Sequence, residues 1–168
     1  EGSYMGNYVV DYSKHGDINE YIHYHHKKKH EFAEYREKWK DNINNELLFV
    51  LLETLSKCNL KCPMCVHSVG YPQTPRMTDK LFEIVVENLR NMNVPSVCMN
   101  QINEPLLDRK IIARIKSVSE IDSVVDIHMN TNAILLTEKT SLALLNSGLT
   151  RLMIGFDQFV LMLNIDYL

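Results

Sequence analysis

Leu47-Leu-Phe-Val-Leu-Leu52-Glu53-Thr-Leu-Ser-Lys-Cys58-Asn-Leu-Lys-Cys62-Pro-Met-Cys65 joins a short apolar run to three closely spaced cysteines. The span 46–55 is apolar and bounded, which predicts a buried strand. The spacing that follows it is C-x3-C-x2-C. Thiolates are soft ligands that select zinc, copper(I) or iron–sulfur clusters. A closed structural zinc site normally takes four ligands, and only three thiols are close by. A four-iron cube needs one ligand per iron, so three thiolates leave one iron open for chemistry. His67, two residues past Cys65, is the alternative fourth ligand of a structural zinc site. Its position is tight for closing a tetrahedron.

Outward from this loop the pattern alternates. Thr78 caps a helix with Leu81, Phe82, Val85, Val86 and Leu89 on one face. Residues 96–102 read as a second strand. Asp108 caps a helix carrying Ile111, Ile112, Ile115 and Val118. Residues 124–131 alternate, with Val125, Ile127 and Met129 on one side and Asp126, His128 and Asn130 on the other, as a strand requires. Thr137 caps a further helix with Leu142 and Leu145, Gly148 stops it, and residues 152–157 form a fourth strand. Strand and helix in alternation predict right-handed parallel βαβ units. Loops at the carboxyl ends of such strands build active sites. The polar clusters occupy those loops: Cys58 to Cys65, Asn103 to Pro105, Asn130 to Asn132, and Asp157.

Of the 168 residues, 45% are hydrophobic and 23% charged, a balance suited to one folded core. A net charge of −3 gives no basic footprint for nucleic acid. The longest apolar stretch, Leu47–Leu52, is too short to cross a bilayer. No basic-then-apolar leader opens the chain. With the clustered cysteines, this predicts a reducing, cytoplasmic setting. The chain starts at Glu1, which marks a fragment, a processed chain or added residues. Residues 1–45 hold most of the tyrosines, Trp39 and five of the seven histidines. Phe32, Tyr35 and Trp39 share a helical face, which predicts a helical extension. His23-Tyr-His25-His26-Lys27-Lys-Lys29-His30 reads as a solvated segment or as a metal- or anion-binding one.

The run Glu53 to Cys65 resembles the signature loop of the radical S-adenosylmethionine (radical SAM) superfamily. The resemblance implies an α/β fold, a partial parallel (βα) barrel. It implies a [4Fe–4S] cluster held by Cys58, Cys62 and Cys65, its open iron chelated by S-adenosylmethionine. The backbone of Met64 would contact the adenine. Asn103-Glu104-Pro105 resembles the family's Gly-Gly-Glu-Pro motif, which binds the methionine amino group; Ile102 and Asn103 stand where glycines are usual. Thr131-Asn132-Ala133 resembles Thr-Asn-Gly, and Gly155-Phe156-Asp157 resembles Ser-x-Asp. Glu104, Asn132 and Asp157 would orient S-adenosylmethionine.

The implied reaction starts with one electron from a donor such as flavodoxin or ferredoxin. S-adenosylmethionine is cleaved to methionine and a 5′-deoxyadenosyl radical, which takes hydrogen from an unidentified substrate, a peptide or a cofactor precursor. The family's core has six strand–helix units, whereas four are visible over 46–158, followed by an apolar tail over 159–168. The chain is therefore expected to be truncated, its fourth strand covered by the tail, a partner chain or a second copy. A non-catalytic remnant holding a cluster, or a structural zinc module, remains the alternative. Cys98 reads as a small buried residue. His128 reads as an interior histidine or as one facing substrate.

Overall fold

The computed structural model describes residues 47–72 and 74–155, together with Lys27, His30, Glu31, Ala33 and Glu34. These last five are helical, and Lys27 pairs with Glu31 one turn on at 3.9 Å. Phe32, Tyr35, Trp39, the other histidines of the extension, Phe156, Asp157 and the tail over 159–168 lie outside the described residues.

Four strands, β1 (Phe49–Leu51), β2 (Ser96–Cys98), β3 (Asp126–Thr131) and β4 (Arg151–Ile154), form one parallel sheet in the order β1-β2-β3-β4. The connections carry α1 (Asp79–Asn91), α2 (Ile111–Ser119) and α3 (Glu138–Leu145). The register aligns Leu51 with Cys98, Cys98 with His128, and His128 with Arg151.

The strands are shorter than their apolar runs. Pairing between β1 and β2 reaches one step further, with Leu52 N donating to the Cys98 carbonyl at 2.8 Å. Beyond that point side chains replace the ladder: Asn100 Oδ1 accepts from Asn130 N at 2.7 Å. An amide oxygen there takes the place of a backbone carbonyl, while β3 and β4 stay paired as far as Gly155 N on the Thr131 carbonyl at 2.9 Å.

One face of the sheet is apolar. Leu52, Val97, Met99, Ile127 and Met129 pack there with Phe82, Leu89, Ile111, Ile115, Val118 and Leu144 of the helices. Ile115 and Val118 have no exposed surface, each worth about 1.5–3 kcal/mol relative to an exposed side chain. Helix α1 turns Phe82 and Leu89 fully inward, while Leu81 is exposed. In α3 it is Leu144 that is buried, with Leu142 and Leu145 only partly covered.

Thr78 and Thr137 do cap α1 and α3, accepting from Leu81 N and Thr140 N, each at 3.2 Å. Gly148, at φ +87°, follows the end of α3. Asp108 is not the cap of α2: Lys110 occupies that position, without a side-chain bond. The Asp108 carboxylate is wholly buried and accepts from Thr54 Oγ1 at 2.7 Å, Arg114 Nη1 at 2.7 Å and Arg76 Nε at 2.8 Å. It thereby ties the exit of β1 to α2 and to the far end of the cysteine loop.

Candidate active site

The loop between β1 and α1 is closed at its base by its own chain. Met77 N donates to the Thr54 carbonyl at 2.8 Å, and the Ser56 and Thr74 hydroxyls meet at 2.7 Å. Within it Cys65 N donates to the Cys62 carbonyl at 2.8 Å. All three loop cysteines are free thiols and half-buried. Burial pushes the Cys58 thiol above its ordinary range, and the negative charge of Glu104, Cys62 and Cys65 adds to that push. The Leu60 N–H, 3.4 Å from the sulfur, works against it.

The loop after β2 is stitched onto the cysteine loop. Glu53 Oε2 accepts from Ile102 N at 3.1 Å, His67 Nε2 donates to the Ile102 carbonyl at 3.1 Å, and Glu104 N donates to the Lys57 carbonyl at 2.8 Å. Ile102, where the family uses glycine, is thus clamped at both backbone atoms. His67 is buried with its Nε2 committed to this clamp and its ring edge-on to Tyr71. It acts as a fastener of the loop.

Glu104 is 2% exposed. Its Oε1 accepts from Leu106 N at 3.0 Å and Thr131 Oγ1 at 2.7 Å, and its Oε2 accepts from Asn132 N at 2.8 Å. Asn132 in turn donates from Nδ2 to Asn59 Oδ1 at 2.8 Å, with Cys58 Sγ 3.9 Å from the same nitrogen. One chain of bonds therefore runs from Thr131 through Glu104 and Asn132 to Asn59 and Cys58. Ala133, where the resemblance has glycine, adopts φ +61°, a left-handed conformation that a Cβ makes costly.

These residues border a pocket of about 370 Å³ at the carboxyl ends of the strands, with Cys58, Cys62, Asn103, Glu104, Asn132 and Gly155 in its wall. Met64 is exposed and outside that wall. Asn103 is buried, with Nδ2 lacking a hydrogen-bond partner.

Among the described residues no three His, Cys, Asp or Glu are already gathered around a metal position. The donor chemistry nevertheless fits an iron–sulfur cluster. Three thiols lie on one loop, none of them in a disulfide, and Cys62 and Cys65 are near enough to oppose ionisation of Cys58. The orphan Asn103 donor offers the pocket a bond to a ligand's acceptor.

On the face opposite the core the middle of the sheet is polar, with Ser96, Cys98, Asp126 and His128 all buried, while Phe49 and Leu51 of β1, expected to be buried, are exposed there with Met153 of β4. Asp126 accepts from Ser96 Oγ at 2.7 Å, His128 Nδ1 at 3.0 Å and Thr150 Oγ1 at 2.9 Å. It also takes a two-pronged contact from Arg151, Nε at 2.9 Å and Nη2 at 2.7 Å. Burial opposes charge on both Asp126 and His128, but their bonds outweigh it. Asp126 is held well below the usual carboxylate range by His128, Arg151 and Ser96. His128 is pushed up to about 9 by Asp126 and by the Cys98 sulfur. Phe49 stacks on its ring with centroids 5.4 Å apart.

The model of the radical SAM superfamily matches residues 52–160, and this chain belongs to that superfamily, whose enzymes use a [4Fe–4S] cluster and S-adenosylmethionine. Among curated relatives, a GTP 3′,8-cyclase of Limosilactobacillus fermentum is 33% identical over 116 residues, covering 66% of this chain and 34% of that protein. Its counterpart in Lactiplantibacillus plantarum is 32% identical over 128 residues, covering 73% and 37%. This chain thus spans about a third of the length of the curated relatives it matches. Among solved structures, BtrN in complex with AdoMet and 2-DOIA superposes with a TM-score of 0.59 at 24% identity, covering 66% of this chain and 46% of that one. That likeness shows the shared fold: an α/β chain with a parallel sheet, part of a barrel. No helix among the described residues is long and apolar enough to cross a membrane.

Proposed function

We propose that this chain supplies the cluster and S-adenosylmethionine half of a radical SAM enzyme of the cytoplasm, acting on a small molecule. When bound, the cluster and S-adenosylmethionine together supply a one-electron cleavage that yields methionine and a 5′-deoxyadenosyl radical. Cys58, Cys62 and Cys65 are the three thiolates for the cluster, releasing their protons on loading. Glu104 spends three of its four acceptor positions on the protein. The fourth, on Oε2, is open to the methionine ammonium, and a carboxylate is the partner that group needs. Asn103 Nδ2 donates to the methionine carboxylate. Asn132 ties the rim between Glu104 and the cysteine loop, and the family resemblance assigns Asp157 to orienting S-adenosylmethionine. Residues 46–158 are the catalytic core, 1–45 a helical extension and 159–168 a separate tail. A flavodoxin or ferredoxin delivers the electron.

The observation that carries this reading is the single bonded path from Glu104 to Cys58 around one pocket. The relatives named GTP 3′,8-cyclase favour a small molecule over a peptide as substrate. Anaerobic reconstitution with iron and sulfide tests it. The expected outcome is one four-iron cluster per chain, a spectral change on adding S-adenosylmethionine, and 5′-deoxyadenosine after reduction. A cluster that never cleaves S-adenosylmethionine would instead mark a non-catalytic remnant. Tight stoichiometric zinc with no cluster would mark a structural module.

A further inference from the structure

We propose that the exposed turn of the cysteine loop, Met64 to Val69 with Lys57 and Lys61 beside it, is the docking surface for an acidic flavin-bearing electron carrier. This rests on the enzymatic reading above and adds to it the face through which the electron enters.

Charge comes first. From Thr54 to Thr78 the sequence holds no Asp or Glu, yet it holds Lys57, Lys61 and Arg76, in a chain whose net charge is −3. Arg76 is spent on Asp108. Lys57 and Lys61 are exposed, and no carboxylate among the described residues pairs with either. The carboxylates that brace this loop are engaged elsewhere. Glu53 accepts from Ile102 N, and buried Glu104 from Leu106, Thr131 and Asn132. The loop is thus locally positive on a protein that is negative overall, a field that steers an acidic partner to it.

Shape comes second. Ser68 N donates to the Cys65 carbonyl at 2.9 Å and Tyr71 N to the Val66 carbonyl at 3.2 Å. With the bond from Cys65 N to Cys62, these wind residues 62–71 into one compact turn. His67 is buried in it and bonded to Ile102. Met64, Val66 and Val69 are left outside, 69%, 43% and 84% exposed. Apolar side chains held out together by a tight backbone mark an interaction site. Their occupant has an apolar centre and an acidic surround, which suits the dimethylbenzene edge of a flavin framed by carboxylates.

The path comes third. Cys58 and Cys62 stand in the wall of the cofactor pocket, and Cys65 does not. The Cys65 carbonyl accepts from Ser68 N and from Ser68 Oγ, the latter at 2.6 Å. A carrier seated on Val66 and Val69 therefore rests beside a cluster thiol and leaves the pocket open. One electron passes from the reduced flavin to the oxidised cluster, and no bond forms or breaks at the contact.

The test is a calorimetric titration of the full chain, reconstituted with iron and sulfide, with oxidised flavodoxin. Saturable binding is expected, weakened several-fold between about 50 and about 300 mM salt. Lys57→Glu combined with Lys61→Glu should weaken it about tenfold or more, since like charges then meet across the contact. Val69→Ser, at a position too exposed to disturb folding, should weaken it about threefold or more. Five outcomes overturn the proposal: flavodoxin does not bind, the double lysine variant binds as tightly as the parent, Lys116→Glu on α2 weakens binding equally, ferredoxin binds more tightly through the same residues, or the chain pairs with itself through Val69. Formation of 5′-deoxyadenosine with dithionite, but without flavodoxin binding, would leave the enzymatic reading standing while this one falls. Absence of a cluster would overturn the enzymatic reading, and this one with it.

Discussion

Replacing Glu104 by Gln puts an amide nitrogen into a buried spot where only donors converge. If that nitrogen took the Oε1 place, it would confront both Leu106 N–H and the Thr131 hydroxyl. In the Oε2 place it confronts Asn132 N–H alone, so the side chain settles there. One hydrogen bond to a charged acceptor is lost and one buried N–H is left without a partner, a cost of about 2–3 kcal/mol. At 1.4 kcal/mol per factor of ten, the folded-to-unfolded ratio falls roughly 30- to 150-fold. Asn132 is also the contact with Cys58 and Asn59, so the rim loosens and iron retention falls with it. Urea titration of the full chain reads the first effect, and iron content after desalting reads the second. Thr131→Val leaves Leu106 on Oε1 but also takes the acceptor from Ala133 N, 3.1 Å from the hydroxyl, and should cost about 1–3 kcal/mol. A Glu104→Gln midpoint indistinguishable from the parent would refute the claim that this carboxylate laces the rim together.

Asp108→Asn leaves the 3%-exposed Arg114 without its buried counter-charge and should cost about 3–5 kcal/mol; a loss under about 1 kcal/mol by urea titration would contradict the network described. Ala133→Gly relieves the left-handed strain at φ +61° at the cost of a looser unfolded chain, for a net gain of about 0.5–1 kcal/mol; a drop in melting temperature would count against it. His128 has its pKa raised from 6.5 to about 9. Its contribution is therefore complete below pH 6.5 and lost as the pH climbs through 9. Allowing for its partly wet partner Arg151, the loss is about 1–2 kcal/mol. Urea midpoints at neutral and alkaline pH should show it, and His128→Gln should remove that portion of the slope.

Much of this was legible from residue order. Thr78 and Thr137 betray their helices because a capping hydroxyl acts locally, within three residues. The four strands stand where apolar runs alternate with helical periodicity, and the spacing of Cys58, Cys62 and Cys65 is what motivates the proposal of a soft-metal loop. What escaped depends on pairings far apart in the chain. Asp108 has the profile of a cap, yet Thr54 and Arg76, distant in sequence, draw it into the interior. His67 sits beside the cysteines and suggests a ligand, while its ring nitrogen answers to Ile102. Asp126, His128 and Arg151 become one cluster only once the register of β3 against β4 is known. The ends of β1 and β2 were overestimated because apolar content continues where backbone pairing yields to Asn100.

The parallel order also sets how much slack each crossover holds. The link from β1 to β2, which contains the thiols, is about twice as long as that from β3 to β4, so closing it costs about 0.6 kcal/mol more in chain entropy. The most loosely tethered crossover is thus the one that must hold three sulfurs in place. The short ties at Thr54 to Met77 and Ser56 to Thr74 take up part of that slack. A bound metal that prefers the folded chain takes up more by mass action, so chelating it away would soften the domain first at this crossover.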